Sequence, residues 1–228
     1  MLLKSDNYNF SYLHYQNTLK KYLEAGYQFI RLAEAENFTK KNHIVILRHD
    51  IDKSVKKAVD FAEIENRLGI KATYYVRLHS NYYNPFGYIV HQQIERIIEL
   101  GHEVGLHSEF FDFGRITEEN PIKIFENEMK VFEIIFGIRP GSYSLHRTTG
   151  SSSISEIQES TGEIRKKFEI IGSYEPKILD NFKYLSDSSG IWREGCFSEH
   201  VGKHERLQIL IHPEWWFNEN INLEESLV

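Results

Sequence analysis

The run Ile44-Val45-Ile46-Leu47 offers no polar face. A strand with one wet side alternates apolar and polar residues. A run without alternation belongs to a strand covered on both sides, as in a parallel sheet clothed by helices. Similar short runs recur at Ala72–Val76, Val104–Leu106, Ser142–Leu145, near Ile170 and Tyr184, and at Ile209–Ile211. Longer amphipathic segments separate them. Ser54 reads as a helix N-cap, with Val55, Ala58, Val59 and Ala62 following at i, i+3, i+4 and i+7, and Gly69 closing the helix. Asn84-Pro85 and Asn120-Pro121 read as helix starts, Gly101 and Gly137 as helix ends, and 151–168 as a further helix. Tyr12 to Gly26 is a helix with Leu13, Leu19, Tyr22 and Leu23 on one face. Seven strands with intervening helices predict an α/β fold, a barrel closed imperfectly; an open doubly wound sheet is the alternative. The 228 residues fit one domain over 1–228, with residues 1–40 as an N-terminal helical extension packed on it.

The charge balance narrows the partners. There are 27 Lys and Arg against 33 Asp and Glu, a formal charge of −6, with no basic run. This argues against nucleic acid, which needs a clustered basic surface. The N-terminus MLLKSDNYNF holds no apolar stretch of signal-peptide length, and nowhere do 18 apolar residues run together, so no membrane span is expected. The single cysteine, Cys196, allows no internal disulfide and suits a reducing compartment. The expected location is the cytoplasm, and no obligate protein partner is evident.

Polar residues gather where the strands end. Arg48-His49-Asp50-Ile51-Asp52 ends the first strand, His107-Ser108-Glu109 the third, His146-Arg147 the fourth, and His212-Pro213-Glu214-Trp215-Trp216 the last. In parallel α/β folds the carboxyl ends of strands form the ligand-binding face. Asp50 and Asp52 point the same way if extended. Paired carboxylates repel unless a cation or proton lies between them, so one would bind an ion and the other would accept a proton. The plainer reading is a helix cap plus a surface acid. His107, beside Asp52 on a neighbouring strand, suits a ligand. Asp, His and Glu together suit Zn²⁺ or another divalent ion such as Co²⁺, Ni²⁺ or Mn²⁺. His79 is a weaker candidate, and His102, in the turn entering its strand, reads as structural. His212 stands where a general acid belongs. Trp192 and Trp215 are either core or faces on which a sugar ring could stack.

These segments carry a resemblance. Arg48-His49-Asp50-Ile51-Asp52 resembles the first motif of the NodB-homology polysaccharide deacetylases, carbohydrate esterase family 4. Gly101-His102-Glu103-Val104-Gly105-Leu106-His107 resembles the second, and Ile211-His212 the last. His146-Arg147, the segment Ser186-Asp187-Ser188-Ser189-Gly190-Ile191-Trp192-Arg193-Glu194-Gly195 and the terminal His-Pro-Glu-Trp-Trp are similar to a divergent branch associated with capsule or lipopolysaccharide biosynthesis.

The resemblance implies a distorted (β/α)7 barrel of the NodB-like type and a metal-dependent deacetylase hydrolysing N-acetyl groups of a saccharide. Asp50 would be the general base, oriented by Arg147. Asp52 and His107 would bind the metal, and His212 would be the general acid. Asp187, Trp192 and Trp215 would contact substrate. The motif departs at Phe111, where the family has a second histidine. Glu109 or His146 would then supply the third ligand. The alternative is an inactive barrel of this type that binds a saccharide or a partner protein.

Overall fold

The strand β2 (Ile44–Ile51) is buried along its whole length and forms the axis of the sheet. The computed structural model describes residues 9–38, 40–146 and 154–218, without the side chains of 154–158. Around β2 lie β3 (Thr73–Arg77), β4 (Glu103–Ser108), β5 (Ser142–Leu145), β6 (Ile171–Gly172), β7 (Lys183–Ser186) and β8 (Arg206–Ile211). Their order is β6-β5-β4-β3-β2-β8-β7, and all the pairings are parallel. These seven strands meet the expectation of a distorted (β/α) barrel. Closure is incomplete, since β6 and β7 form no ladder among the described residues. Side chains join the two ends instead: Gln208 donates to the Ser173 carbonyl at 3.2 Å, and the Tyr174 and Tyr184 hydroxyls lie 3.4 Å apart.

Helices clothe the outside: α1 (Tyr12–Glu24), α2 (Val55–Arg67), α3 (Tyr88–Glu99), α4 (Phe110–Thr117), α5 (Pro121–Phe136), α6 (Ile154–Phe168) and the short α7 (Pro176–Leu179). Ser54 caps α2 by accepting from the Lys57 amide at 3.3 Å, and Asn120 caps α5 by accepting from Ile122 at 2.8 Å. The main apolar core lies between helices and sheet. A second cluster, including Ile30, Ile44, Ile46, Ile171 and Phe182, fills the barrel's lower interior. None of the helices among the described residues is long and apolar enough to cross a membrane.

Three expectations need correction. The N-terminal segment is not only helical. It includes β1 (Gln28–Ile30), which pairs with Ile44–Ile46 of β2, while β3 pairs with Arg48–Ile51. Next, α3 starts at Tyr88 rather than at Asn84-Pro85, because Asn84 is spent on a turn. Its side chain accepts from the Phe86 amide at 3.1 Å, and its carbonyl accepts from Gly87 at 2.8 Å. Lastly, α1 buries Tyr15, Thr18, Leu19 and Tyr22, leaving Leu13 and Leu23 exposed. The start of this helix also meets the end of the described chain. Tyr12 donates to the Phe217 carbonyl at 3.0 Å, and Phe217 donates to the Phe10 carbonyl at 2.9 Å. This clasp seats Trp216, fully buried against Phe10, Tyr15 and Phe61.

Candidate active site

Alternation along β2 builds a graded interior. Ile44 and Ile46 plug the lower barrel, Arg48 and Asp50 lie above them, and Asp52 stands at the mouth. The mouth opens into a cleft of about 640 Å³ lined by Asp50, Asp52, His107, His146 and His212, with Lys53, Tyr174, Glu214 and Trp215 on its walls. These residues come from the carboxyl ends of different strands, so the parallel sheet converges them. The second motif also has a packing reason. A Cβ at Gly105 would lie 2.6 Å from the Tyr75 ring and 2.7 Å from the Ser142 carbonyl.

At the centre, His107 Nε2 lies 3.4 Å from Asp50 Oδ2 and 3.5 Å from Asp52 Oδ1. Its Nδ1–H donates to the Ser144 carbonyl at 3.2 Å, which fixes the ring and aims Nε2 at the carboxylates. His146 Nε2 lies 3.7 Å from Asp52 Oδ1, and the His107 and His146 rings meet edge to face at 5.1 Å. Arg48 Nη2 donates to Asp50 Oδ2 at 3.0 Å and to the Tyr174 hydroxyl at 2.7 Å. Arg77 Nε donates to Glu109 Oε1 at 2.7 Å. His212 Nδ1 donates to Asp187 Oδ1 at 2.7 Å, and Trp216 Nε1 donates to Asp187 Oδ2 at 2.8 Å.

Counting charges singles out Asp52. Asp50 is paired with Arg48, Glu109 with Arg77 and Asp187 with His212. Asp52 Oδ1 is buried without a hydrogen-bond partner. Its neighbours are two imidazoles and, at 3.9 Å, Arg77 Nη1. Burial alone would raise its pKa, but His107 and His146 hold it well below the usual carboxylate range. Burial would lower that of His107, yet Asp50 and Asp52 raise it above the ordinary imidazole value. Burial and the neighbouring His107 push His146 down to about 4, so it is neutral. The raised pKa of His107 reports that the two carboxylates beside it favour positive charge at this point.

The donors fit a divalent transition ion in kind: one carboxylate oxygen with no other partner and two imidazole nitrogens. A tetrahedral ion about 2.0–2.1 Å from each donor would space them about 3.4 Å apart. Here Asp52 Oδ1 stands 3.5 Å from His107 Nε2 and 3.7 Å from His146 Nε2. The set is slightly splayed. Among the described residues, no group of three or more His, Cys, Asp or Glu side chains is already gathered as a metal site.

The remaining candidates divide. Glu109 is 95% buried and held by Arg77, with its carboxylate 3.6 Å from His146 Nδ1. Asp187, expected to contact substrate, is fully buried, bonded to the His212 imidazole and absent from the cleft lining. Trp192 is also displaced from its expected role. It is core, stacked on Phe197 with centroids 5.5 Å apart. Trp215 does line the cleft. Arg147 lies outside the described residues. His79 sits away from the cleft lining, stacked on Phe113 and 3.0 Å from Glu128. His102 is structural as expected: Nδ1 accepts from the Ala72 amide, and Nε2 donates to the Ala62 carbonyl. Phe111 is the second residue of α4 and packs on Phe110. Sequence reading gave no role to Arg48, Arg77 or Glu214. Arg77 ends β3 and Glu214 lies just beyond β8, the same signal that selected the others, whereas Arg48 lies inside β2, three residues before its end.

Fold and site thus define a parallel α/β barrel with a carboxylate–imidazole cleft at its carboxyl-end mouth. No protein-family model matches the sequence, and no curated protein matches it. Among solved structures, the chain is similar to the chitin deacetylase from the fungal pathogen Colletotrichum lindemuthianum, with a TM-score of 0.46 and 16% identity over 76% of this chain and 75% of that one.

Proposed function

We propose that this protein is a metal-dependent deacetylase that removes N-acetyl groups from a saccharide, with Asp52, His107 and His146 as the ligands of a divalent ion such as Zn²⁺. The observation that carries this reading is the isolation of Asp52. Its Oδ1 is buried without a hydrogen-bond partner, Arg77 comes no nearer than 3.9 Å, and it faces two imidazoles in the cleft that Asp50 and His212 share. Glu109 is committed to Arg77 and lies behind His146, so it suits a supporting role better than a ligand's.

The reaction adds water to the amide carbonyl and then breaks the C–N bond, giving acetate and an amine. A divalent ion bound here would polarise the carbonyl and make water more acidic. Asp50 accepts the proton of the attacking water. Arg48 anchors its Oδ2, and Oδ1 is buried without a partner, open for that proton. His212 gives a proton to the departing nitrogen. Its Nδ1 is taken by Asp187, which leaves Nε2 for the substrate. Burial would lower the pKa of His212, but the hydrogen bond and charge of Asp187 outweigh it and lift it to about 9. The ring therefore holds its proton at neutral pH, as a general acid must. A positioned acid or base contributes roughly 10²–10⁴-fold.

The test is acetate release from N-acetylated oligosaccharides by protein loaded with Zn²⁺, Co²⁺ or Ni²⁺, beside Asp50→Asn. Turnover that needs the ion and vanishes in Asp50→Asn is expected. Failure to bind any of these ions would defeat the reading. It would favour the second one, an inactive saccharide-binding barrel, for which the splayed donors and the 3.9 Å approach of Arg77 to Asp52 speak.

A further inference from the structure

The turn after β8 carries two polar atoms that the acid–base scheme does not use. Glu214 Oε2 and Trp215 Nε1 are both buried, both belong to cleft-lining residues, and neither has a hydrogen-bond partner. Buried polar groups in folded proteins are nearly always paired, so two adjacent orphans on a cleft wall call for an explanation. One is an acceptor and the other can only donate.

The turn is held rigidly. Lys57, on the first turn of α2, donates to the Glu214 carbonyl at 3.1 Å and to the Trp216 carbonyl at 2.8 Å. Gly190, at φ +69°, lies beside the Trp215 indole, where a Cβ would make an ordinary contact at 3.6 Å. The Lys53 ammonium sits 4.9 Å from that ring. The indole is therefore positioned by its neighbours while its N–H stays unspent. Burial, helped by the charge of Asp52, raises the Glu214 carboxyl to about 7, as expected of an acid short of donors.

We infer that Glu214 and Trp215 form a subsite that reads two hydroxyl groups of the saccharide ring, Glu214 accepting from one and the Trp215 N–H donating to the other. This rests on the proposal that the ligand is a saccharide. Each sugar hydroxyl both donates and accepts, so a pair of them satisfies both orphans. A ligand without hydroxyls leaves them buried and unpaired, and a polar site discriminates most strongly against such a ligand.

The test uses the full chain in an Asp50→Asn background, to prevent turnover, and measures binding by calorimetry and ligand-observed NMR. The probes are tri-N-acetylchitotriose and N-cyclohexylacetamide, an acetamide on a ring without hydroxyls. Glu214→Leu and Trp215→Phe should each weaken the trisaccharide about 10-fold, about 1.4 kcal/mol. Glu214→Gln should recover part of that loss. Affinity for N-cyclohexylacetamide should not change. Melting temperatures should stay near the parent's, because no internal hydrogen bond is removed. Equal trisaccharide binding by parent and variants, or no trisaccharide binding by the parent, overturns the subsite. If the binding pattern holds but the Zn²⁺-loaded parent with Asp50 intact releases no acetate, the subsite stands and the deacetylase reading falls.

Discussion

Arg48 Nη2 donates to Asp50 Oδ2 at 3.0 Å from two residues back on the same strand, inside the barrel and away from water. The guanidinium lies against the Tyr174 ring, 4.6 Å from its centroid, so it has little freedom to turn. The base of the proposed reaction is thus anchored from its own strand. Removing Arg48 strands a buried carboxylate, which typically costs about 3–5 kcal/mol. Arg48→Met should lower stability by about that much in urea unfolding. Arg48→Lys keeps the charge but loses the planar fork. It should fold and show a lowered kcat with little change in KM. An unchanged urea midpoint for Arg48→Met would remove Arg48 from this role.

The third ligand is decided by titration. His146→Ala should weaken Zn²⁺ binding by on the order of 10²-fold, about 2.7 kcal/mol or more at 1.4 kcal/mol per decade. Glu109→Gln should have a smaller effect, about 10-fold, as an outer partner of the site. Calorimetry of both variants separates them. The reverse ranking would make Glu109 the ligand.

The acid's pH dependence follows from Asp187. His212 has its pKa raised from 6.5 to about 9, so the proton it must donate is present at neutral pH and lost as pH rises through about 9. The same protonation contributes stability that is full below 6.5 and fades as pH passes about 9. In Asp187→Asn the hydrogen-bonded carboxylate's charge is gone, and burial is opposed only by the charges of Asp50 and Asp52. The alkaline limb of the pH–rate profile should then move down by more than about one unit. A limb that stays in place would take His212 out of the acid's role.

Gly105→Ala tests the second motif as packing. The added methyl would meet the Tyr75 ring and the Ser142 carbonyl at 2.6 and 2.7 Å. Overpacking of this kind costs typically 1–3 kcal/mol. Thermal melting should show a clear drop, and an undiminished melting temperature would show that the sheet yields there.

Much of this architecture is legible in the sequence because it is local. The apolar run Ile44–Leu47, the caps at Ser54 and Asn120 and the closing Gly69 and Gly137 each follow from nearest-neighbour chemistry, and each stands where expected. Asp50, Asp52, His107, His146 and His212 were legible for a related reason: the carboxyl ends of parallel strands share one face, so strand-end polar residues converge. The strand β1 escaped notice because three residues carry no periodicity, and only its pairing with Ile44–Ile46 makes it a strand.

What the sequence by itself determined is therefore the class of fold, the rim of the cleft and the kinds of group that line it. Tertiary structure alone decided which carboxylate owns which cation. Arg48 is beside Asp50 in sequence, but Arg77 meets Glu109 across 32 positions and His212 meets Asp187 across 25. It also sent Trp192 into the core and left Trp215 on the cleft wall, although both indoles follow a strand end. The physical reason is range. Backbone propensity and capping act within a turn, whereas burial and Coulomb pairing depend on distances that exist only once the sheet has curled.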